Sequence, residues 1–330
     1  GVTVDHLGVF GGRFGIRLVG AESALLEDCA VRNVAVDSQS GLPGVEQDAA
    51  GISFEYTAEG VATVVRAVGI SGGPGTTSAH HDGGSAAGIS VSNSTATTLV
   101  GLDASDISGG TGYAGDPFNK YSGNGGGAVG IDLRETTGAH LFATSISQIA
   151  GGTGGSPSPS YEWCGGTGGI AAGVRLDFSE QNVFESNDIE ALSGGSGGTG
   201  SCVPTDQEAF AFFFASDSLN NTIKMSNACN GQPVPYFRGV DGIELDNVNW
   251  DSSCNSTNLG KAVFLDCSNV KLSNSVIANF TGMSGQNGDK YAPGQPGDAG
   301  VGVLLQNCAD CSLESTVVSN VAGGQGGTTS

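Results

Sequence analysis

A four-residue pattern of small residue, apolar, any, apolar constrains this chain more than any other feature. It begins at Gly15, Gly51, Gly88, Gly130, Gly173, Ala211, Gly242, Ala262 and Gly302. The next place holds Ile16, Ile52, Ile89, Ile131, Val174, Phe212, Ile243, Val263 and Val303; two further on stand Leu18, Phe54, Val91, Leu133, Leu176, Phe214, Leu245, Leu265 and Leu305. Alternation at period two is a strand with one buried face. Further apolar columns follow each anchor at fixed distance, through Leu26, Leu99, Leu141, Phe184 and Leu313, then Val31, Ile146, Ile189 and Val318, then Val34, Ile70, Ile107, Ile149, Leu192 and Val321. The anchors lie 36, 37, 42, 43, 38, 31, 20 and 40 residues apart. A unit that shrinks to twenty residues and keeps its columns is one turn of a solenoid plus an optional insertion, with parallel strands stacked at about 4.8 Å.

The expected fold is therefore all-β: a right-handed parallel β-helix (β-solenoid) of about nine coils, with Gly-rich insertions on one flank and residues 1–330 forming a single β-helix domain. The right hand follows from strand twist and crossover chirality. A β-sandwich needs no fixed column register. A leucine-rich repeat calls for a nearly constant period and an asparagine ladder, neither of which is found in the sequence. Gly-Ile-x-Leu entries and segments ending in Asp106-Ile107-Ser108-Gly109-Gly110 or Gln148-Ile149-Ala150-Gly151-Gly152 make the chain resemble the Gly-rich secreted members of the pectin-lyase-like superfamily. That resemblance implies the fold and leaves function open, since the superfamily spans lyases, hydrolases, phage tailspikes and adhesins.

The 57 glycines concentrate where each coil leaves its core, as in Gly72-Gly73-Pro74-Gly75, Gly109-Gly110-Thr111-Gly112, Gly151-Gly152-Thr153-Gly154-Gly155 and Gly194-Gly195-Ser196-Gly197-Gly198. A Gly-Gly-x period matches the three residues per turn of an extended polyproline-II-type helix, and only glycine lets such legs pack backbone to backbone. Ordered, mutually packed legs are expected rather than flexible linkers. Locally they are similar to the polyglycine-II layers of certain phage adhesins and of one class of antifreeze protein. Tyr113, Phe118, Tyr121, Tyr161, Trp163, Tyr236, Phe237 and Tyr291 lie between the legs. Stacked loops would bring them onto one flank, as a platform for sugars or protein or as a cap over the glycine layer.

A net charge of −21 is the opposite of what nucleic acid or an anionic membrane surface attracts, and no apolar run is long enough to span a bilayer. Eight cysteines and few lysines fit an extracellular or cell-surface setting. Equal distance before their anchors pairs Cys164 with Cys202; Cys267 with Cys308 would bridge coils in the same way, and Cys229 with Cys254 is a further candidate, leaving Cys29 and Cys311 unassigned. On the outward face Asp132 neighbours Arg175 and Arg134 neighbours Asp177, a crossed ion network. Asp246 and Asp266, expected to stack as like charges, would shift one pKa or recruit a hard cation such as Ca²⁺. His80-His81-Asp82 has no companion cluster at ligand spacing and is read as a loop tip.

No compact carboxylate group beside an unpaired base stands among the outward residues, so no catalytic residue is assigned. The expected function is a non-catalytic extracellular structural or adhesive rod, its insertions forming a binding or packing flank; the alternative is a carbohydrate-active β-helix enzyme, a polysaccharide lyase or glycoside hydrolase. Expected partners are continuing coils or other copies end to end, with glycans or a cell-surface protein on the flank. Neither end carries a polar cap, from which one section of a longer chain or assembly is expected. Outward Phe213, Phe264 and Leu304 would add an apolar strip.

Overall fold

A computed structural model describes residues 1–36, 48–76, 82–115, 122–156, 165–199, 207–216, 218, 220–224, 226–251, 259–282, 285, 294 and 296–326. The described residues contain strands and no helix, and the strands stack in parallel as in a β-helix or solenoid. One short antiparallel pair, Ala228–Cys229 with Gln232–Pro233, is the exception among them.

The anchor strands Phe14–Val19, Ala49–Glu55, Ala86–Ser92, Ala128–Arg134, Ala171–Asp177 and Ala209–Phe214 form a six-stranded sheet. Ile52 sits opposite Ile89, Ile89 opposite Ile131, Ile131 opposite Val174 and Val174 opposite Phe212. Two companion sheets, of seven and eight strands, carry the columns of Leu26, Leu99, Leu141 and Phe184 and of Val31, Ile146 and Ile189. All of these enter one core. Each such side chain contributes about 1.5–3 kcal/mol on burial.

At Gly15 and Gly130 the anchor is glycine because there is no room for more. A Cβ on Gly130 would fall 2.4 Å from Ile146 Cγ2 and 2.6 Å from the Gly173 carbonyl oxygen; one on Gly15 would fall 2.1 Å from Val31 Cγ1. Four corners per unit turn the chain through positive φ, as at Glu135, Gly138, Ala143 and Gln148, and again at Asp266, Asn269, Asn274 and Asn279.

Beside these corners run buried polar columns that the sequence reading missed. Asn182 donates through Nδ2 to Asn221 Oδ1 at 2.9 Å, and Asn187 to Asn227 Oδ1 at 2.8 Å. Ser94 Oγ accepts from the Thr57 amide, and Ser179 Oγ from the Thr136 amide. Asparagine ladders are thus present, contrary to expectation, and they satisfy corner amides that would otherwise be buried without partners.

The last third corrects the register. Tyr236–Arg238, Ala262–Leu265 and Val303–Gln306 form one three-stranded sheet, with Tyr236 opposite Val263, Phe237 opposite Phe264 and Ala262 opposite Val303. Gly242 is therefore no anchor. It has φ +77 and occupies a corner like those of Gly138 and Asn269. The anchor beside Ala262 is Lys261, one place earlier, and the interval between successive units here is 27 residues, as between Val248 and Ser275, not twenty. Phe264 accordingly points inward, stacked on Phe237 at 5.0 Å, rather than outward. Tyr236, Val263 and Leu265, on the opposite face of this sheet, join the first core, where Tyr236 stacks on Phe214 at 5.4 Å.

Lys261 is 1% exposed, with Nζ 5.0 Å from the centroid of the Phe280 ring. Burial pushes its amine down to about 8, against the pull of Glu208 and Asp251. The folded state then holds fewer protons than the unfolded chain between about pH 8 and the ordinary lysine range, so this group's contribution to stability rises with pH across that window. Buried Cys267 and Tyr236, both pushed up, act in the opposite sense. Denaturant midpoints at about pH 7 and pH 9.5 should show Lys261→Met gaining on the wild type at the lower pH by about 1–3 kcal/mol and losing that advantage at the higher one. Gly130→Ala should cost about 1–3 kcal/mol in urea unfolding, because the interior must shift to admit one methyl group.

Candidate functional site

Along the outer side of the first five anchor strands a groove of about 180 Å³ opens. Period-two alternation puts Ser53, Ser90 and Asp132 on this face, and Glu55, Ser92 and Arg134 two places on. Ala50, Ala87 and Val129 also line it, with Arg13 and Phe14 near one end and Arg134 and Arg175 near the other.

Asp132 is 2% exposed. Arg175, its neighbour in the next unit, grips it with both arms, Nε at 2.7 Å from Oδ1 and Nη2 at 2.6 Å from Oδ2; Arg134 adds Nε at 2.8 Å from Oδ2. The expected network is therefore present in altered form. Arg134 stands opposite Asp177 in the ladder but turns to Asp132, and Asp177 accepts from the Ser216 amide at 3.2 Å. Burial pushes the Arg175 guanidinium down, yet the ionic and hydrogen-bonded grip of Asp132 carries it above its ordinary range. At the other end Arg17 binds Glu55 through Nε at 2.8 Å and Nη2 at 2.6 Å, and Ser53 Oγ donates to Glu55 at 2.9 Å. The Arg17 hydrogen bonds hold the Glu55 carboxyl below its usual range. Arg13 and Arg17 both lie over Phe14, at 5.0 and 5.1 Å. The Glu55 carboxylate held this way is an ionised acceptor, suited to orienting Arg17 and ill suited to donating a proton.

Two of the aromatic residues expected on the insertion flank, Tyr236 and Phe237, are buried instead. Tyr236 and Phe237 are each 1% exposed and belong to the two cores, because the register places them on opposite faces of a covered strand. Tyr113 is half-buried, its carbonyl accepting from the Gly123 amide. Phe118, Tyr121, Tyr161, Trp163 and Tyr291 lie outside the described residues, as do His80 and His81, while Asp82 Oδ1 accepts from the Asn124 amide.

The stacked aspartates are also corrected. Asp246 faces Ser273, not Asp266, and accepts from Ser273 Oγ at 2.7 Å and Asn274 Nδ2 at 2.8 Å, bonds that hold its carboxyl low. Asp266 accepts from Asn307 and pairs with Arg238. The like-charge pair dissolves once Gly242 is moved to its corner. Among the described residues no three His, Cys, Asp or Glu side chains form a metal-holding group.

Cys267 and Cys308 do not form the expected bridge: both are free thiols, each donating to backbone carbonyls, Leu265 O at 3.2 Å and Phe264 O at 3.3 Å. Cys29 and Cys311 are free as well. Cys229 is disulfide-bonded, and Cys164, Cys202 and Cys254 lie outside the described residues.

No protein-family model matches the chain, and no curated protein matches it. Among solved structures it is similar to a point mutant of the periplasmic alginate epimerase AlgG, at 11% identity over 96% of this chain and 75% of that one, with a TM-score of 0.27. It is also similar to PfbA, a surface adhesin of Streptococcus pneumoniae, at 10% identity over 95% and 84%, with a TM-score of 0.17. Similarity of this degree bears on neither activity nor ligand.

Removing Asp132 leaves two guanidinium groups without their shared acceptor. Asp132→Ala is expected to lower stability by about 3 kcal/mol, and Arg134→Ala, on a half-exposed partner, by about 1 kcal/mol, as read from urea midpoints.

Proposed function

We propose that the chain is a non-catalytic structural or adhesive rod of the extracellular space or cell surface, a right-handed parallel β-helix of about nine coils. Its glycine legs pack as a polyglycine-II-type layer, and the insertions that they carry form a binding or packing flank. One observation carries this reading. The Gly84 amide donates to Gly73 O, Gly110 to Gly84 O, Gly126 to Gly110 O, Gly152 to Gly126 O, Gly169 to Gly152 O and Gly195 to Gly169 O, each at 2.7–2.8 Å. Outgoing and returning legs of successive insertions alternate along this relay. A Cβ on Gly110, Gly126, Gly152 or Gly169 would fall 1.9–2.0 Å from a neighbouring carbonyl oxygen, so any other residue breaks the spacing. A layer of backbone amides without side chains is a rigid base and has no reacting group of its own.

The charged groups of the groove support the same reading, since Asp132 and Glu55 spend their lone pairs on arginines and serine. Other copies or continuing coils are the proposed partners end to end. Glycans or a cell-surface protein are the proposed partners of the insertion flank. The second reading, a carbohydrate-active enzyme, draws on the groove between Phe14 and Arg175.

A panel of acidic and neutral glycans separates the two. The rod is expected to retain a glycan or a cell surface without releasing reducing sugar or unsaturated product; turnover of any member would establish the enzyme. Gly152→Ala should weaken retention and lower the melting temperature by several degrees, on the order of 1–3 kcal/mol, while circular dichroism stays β-rich.

A further inference from the structure

A second cavity, of about 260 Å³, lies where the end of the strand Asp188–Ser193 and the start of Ala209–Phe214 meet Ala262–Leu265 and Val276–Thr281. That volume is many times the roughly 10–15 Å³ that one water needs, so a compound of a few carbon atoms fits. Leu192 and Ala209 give the wall an apolar part, and Ser193, Glu208 and Asn279 a polar one. Ser193 and Asn279 are exposed, so the cavity opens to solvent past them. The remaining wall residue that carries chemistry is Lys261.

Lys261 is 1% exposed, which leaves the cavity as the route to its amine. Burial holds that amine at about 8, so about a tenth of it is unprotonated at pH 7, against roughly one part in 2,500 for an ordinary lysine. A desolvated, neutral lysine amine is a nucleophile toward carbonyl carbon. Other lysines are held differently. Lys224 and Lys271 are partly exposed in ion pairs with Glu185 and with Glu244 and Glu314, and the Glu314 hydrogen bond pushes the Lys271 amine up.

We propose that this cavity is a site for small aliphatic aldehydes, which Lys261 captures as an imine. The Nζ lone pair attacks the carbonyl carbon, and one N–H proton passes to the oxygen to give a carbinolamine. The second N–H proton and the new hydroxyl leave as water, so the C–N bond becomes C=N and nothing is oxidised or reduced. Glu208, on the same wall, relays protons from nitrogen to oxygen, while Leu192 and Ala209 receive the alkyl chain. A bulky aldehyde cannot follow this path.

Propanal with sodium cyanoborohydride at about pH 7, added to the folded chain, fixes the imine as an N-propyl group that peptide mapping locates. Five lysines compete: Lys120, Lys224, Lys261, Lys271 and Lys290. Lys261 is expected to be propylated on the order of tenfold faster than Lys224 or Lys271, access through the cavity offsetting part of its larger unprotonated fraction. The preference should vanish in urea, and pyrenecarboxaldehyde, too large for the cavity, should label the exposed lysines and spare Lys261 while the chain is folded. Propylation of Lys261 no faster than that of Lys224, a preference that persists in urea, or labelling of folded Lys261 by pyrenecarboxaldehyde as fast as by propanal would overturn the site.

Discussion

Parallel hydrogen bonding in register places each residue directly over its counterpart in the next unit, and the rest of the structure depends on that repetition. Ile on Ile and Leu on Phe fill the interior column by column, so an anchor that must pass beneath a neighbour's carbonyl can be no larger than glycine or alanine in most units. Where a unit breaks this rule, as at Lys261, the cost appears as a buried amine with a lowered proton affinity.

The same repetition turns polar residues into ladders. A buried corner amide cannot reach water, and an Asn or Ser in the unit above supplies the missing acceptor while its own amide turns to the next. Outside, Asp241, Asp246 and Asp266 accept from asparagines of the following unit. These three aspartates serve register through hydrogen bonds, and Asp266 pairs with Arg238 as well. In the groove the arginines are few and committed, with Asp132 and Glu55 each taking a bidentate grip from the adjacent unit.

Glycine has two distinct duties. At the anchors it allows backbone and side chains to approach across the interior. In the insertions it removes side chains altogether, so that amides of one leg reach carbonyls of the next and a sheet-like relay forms without a core. The first duty serves the stacked body and the second the amide relay, so the glycines cluster at two registers of each unit rather than spreading as in a linker.

Period-two alternation and fixed column spacing, read from residues alone, determined the parallel stacked fold, the interior residues of the first five units and the neighbours Asp132 and Arg175. The fixed register of the glycine repeats was legible too, being a property of the residues themselves. Side-chain direction was not. Sequence spacing could not tell a glycine chosen for close approach from Gly242, chosen for its positive φ, and that ambiguity displaced Asp246 and its pairing with Asp266, while counting from Ala262 in place of Lys261 displaced Phe264. The asparagine columns were overlooked because a buried amide and an exposed one look alike in a sequence. Only the tertiary structure decided which carboxylate each arginine takes, since Arg134 can reach along its own strand or across to Asp177, and the doubly gripped, buried Asp132 offers the stronger field.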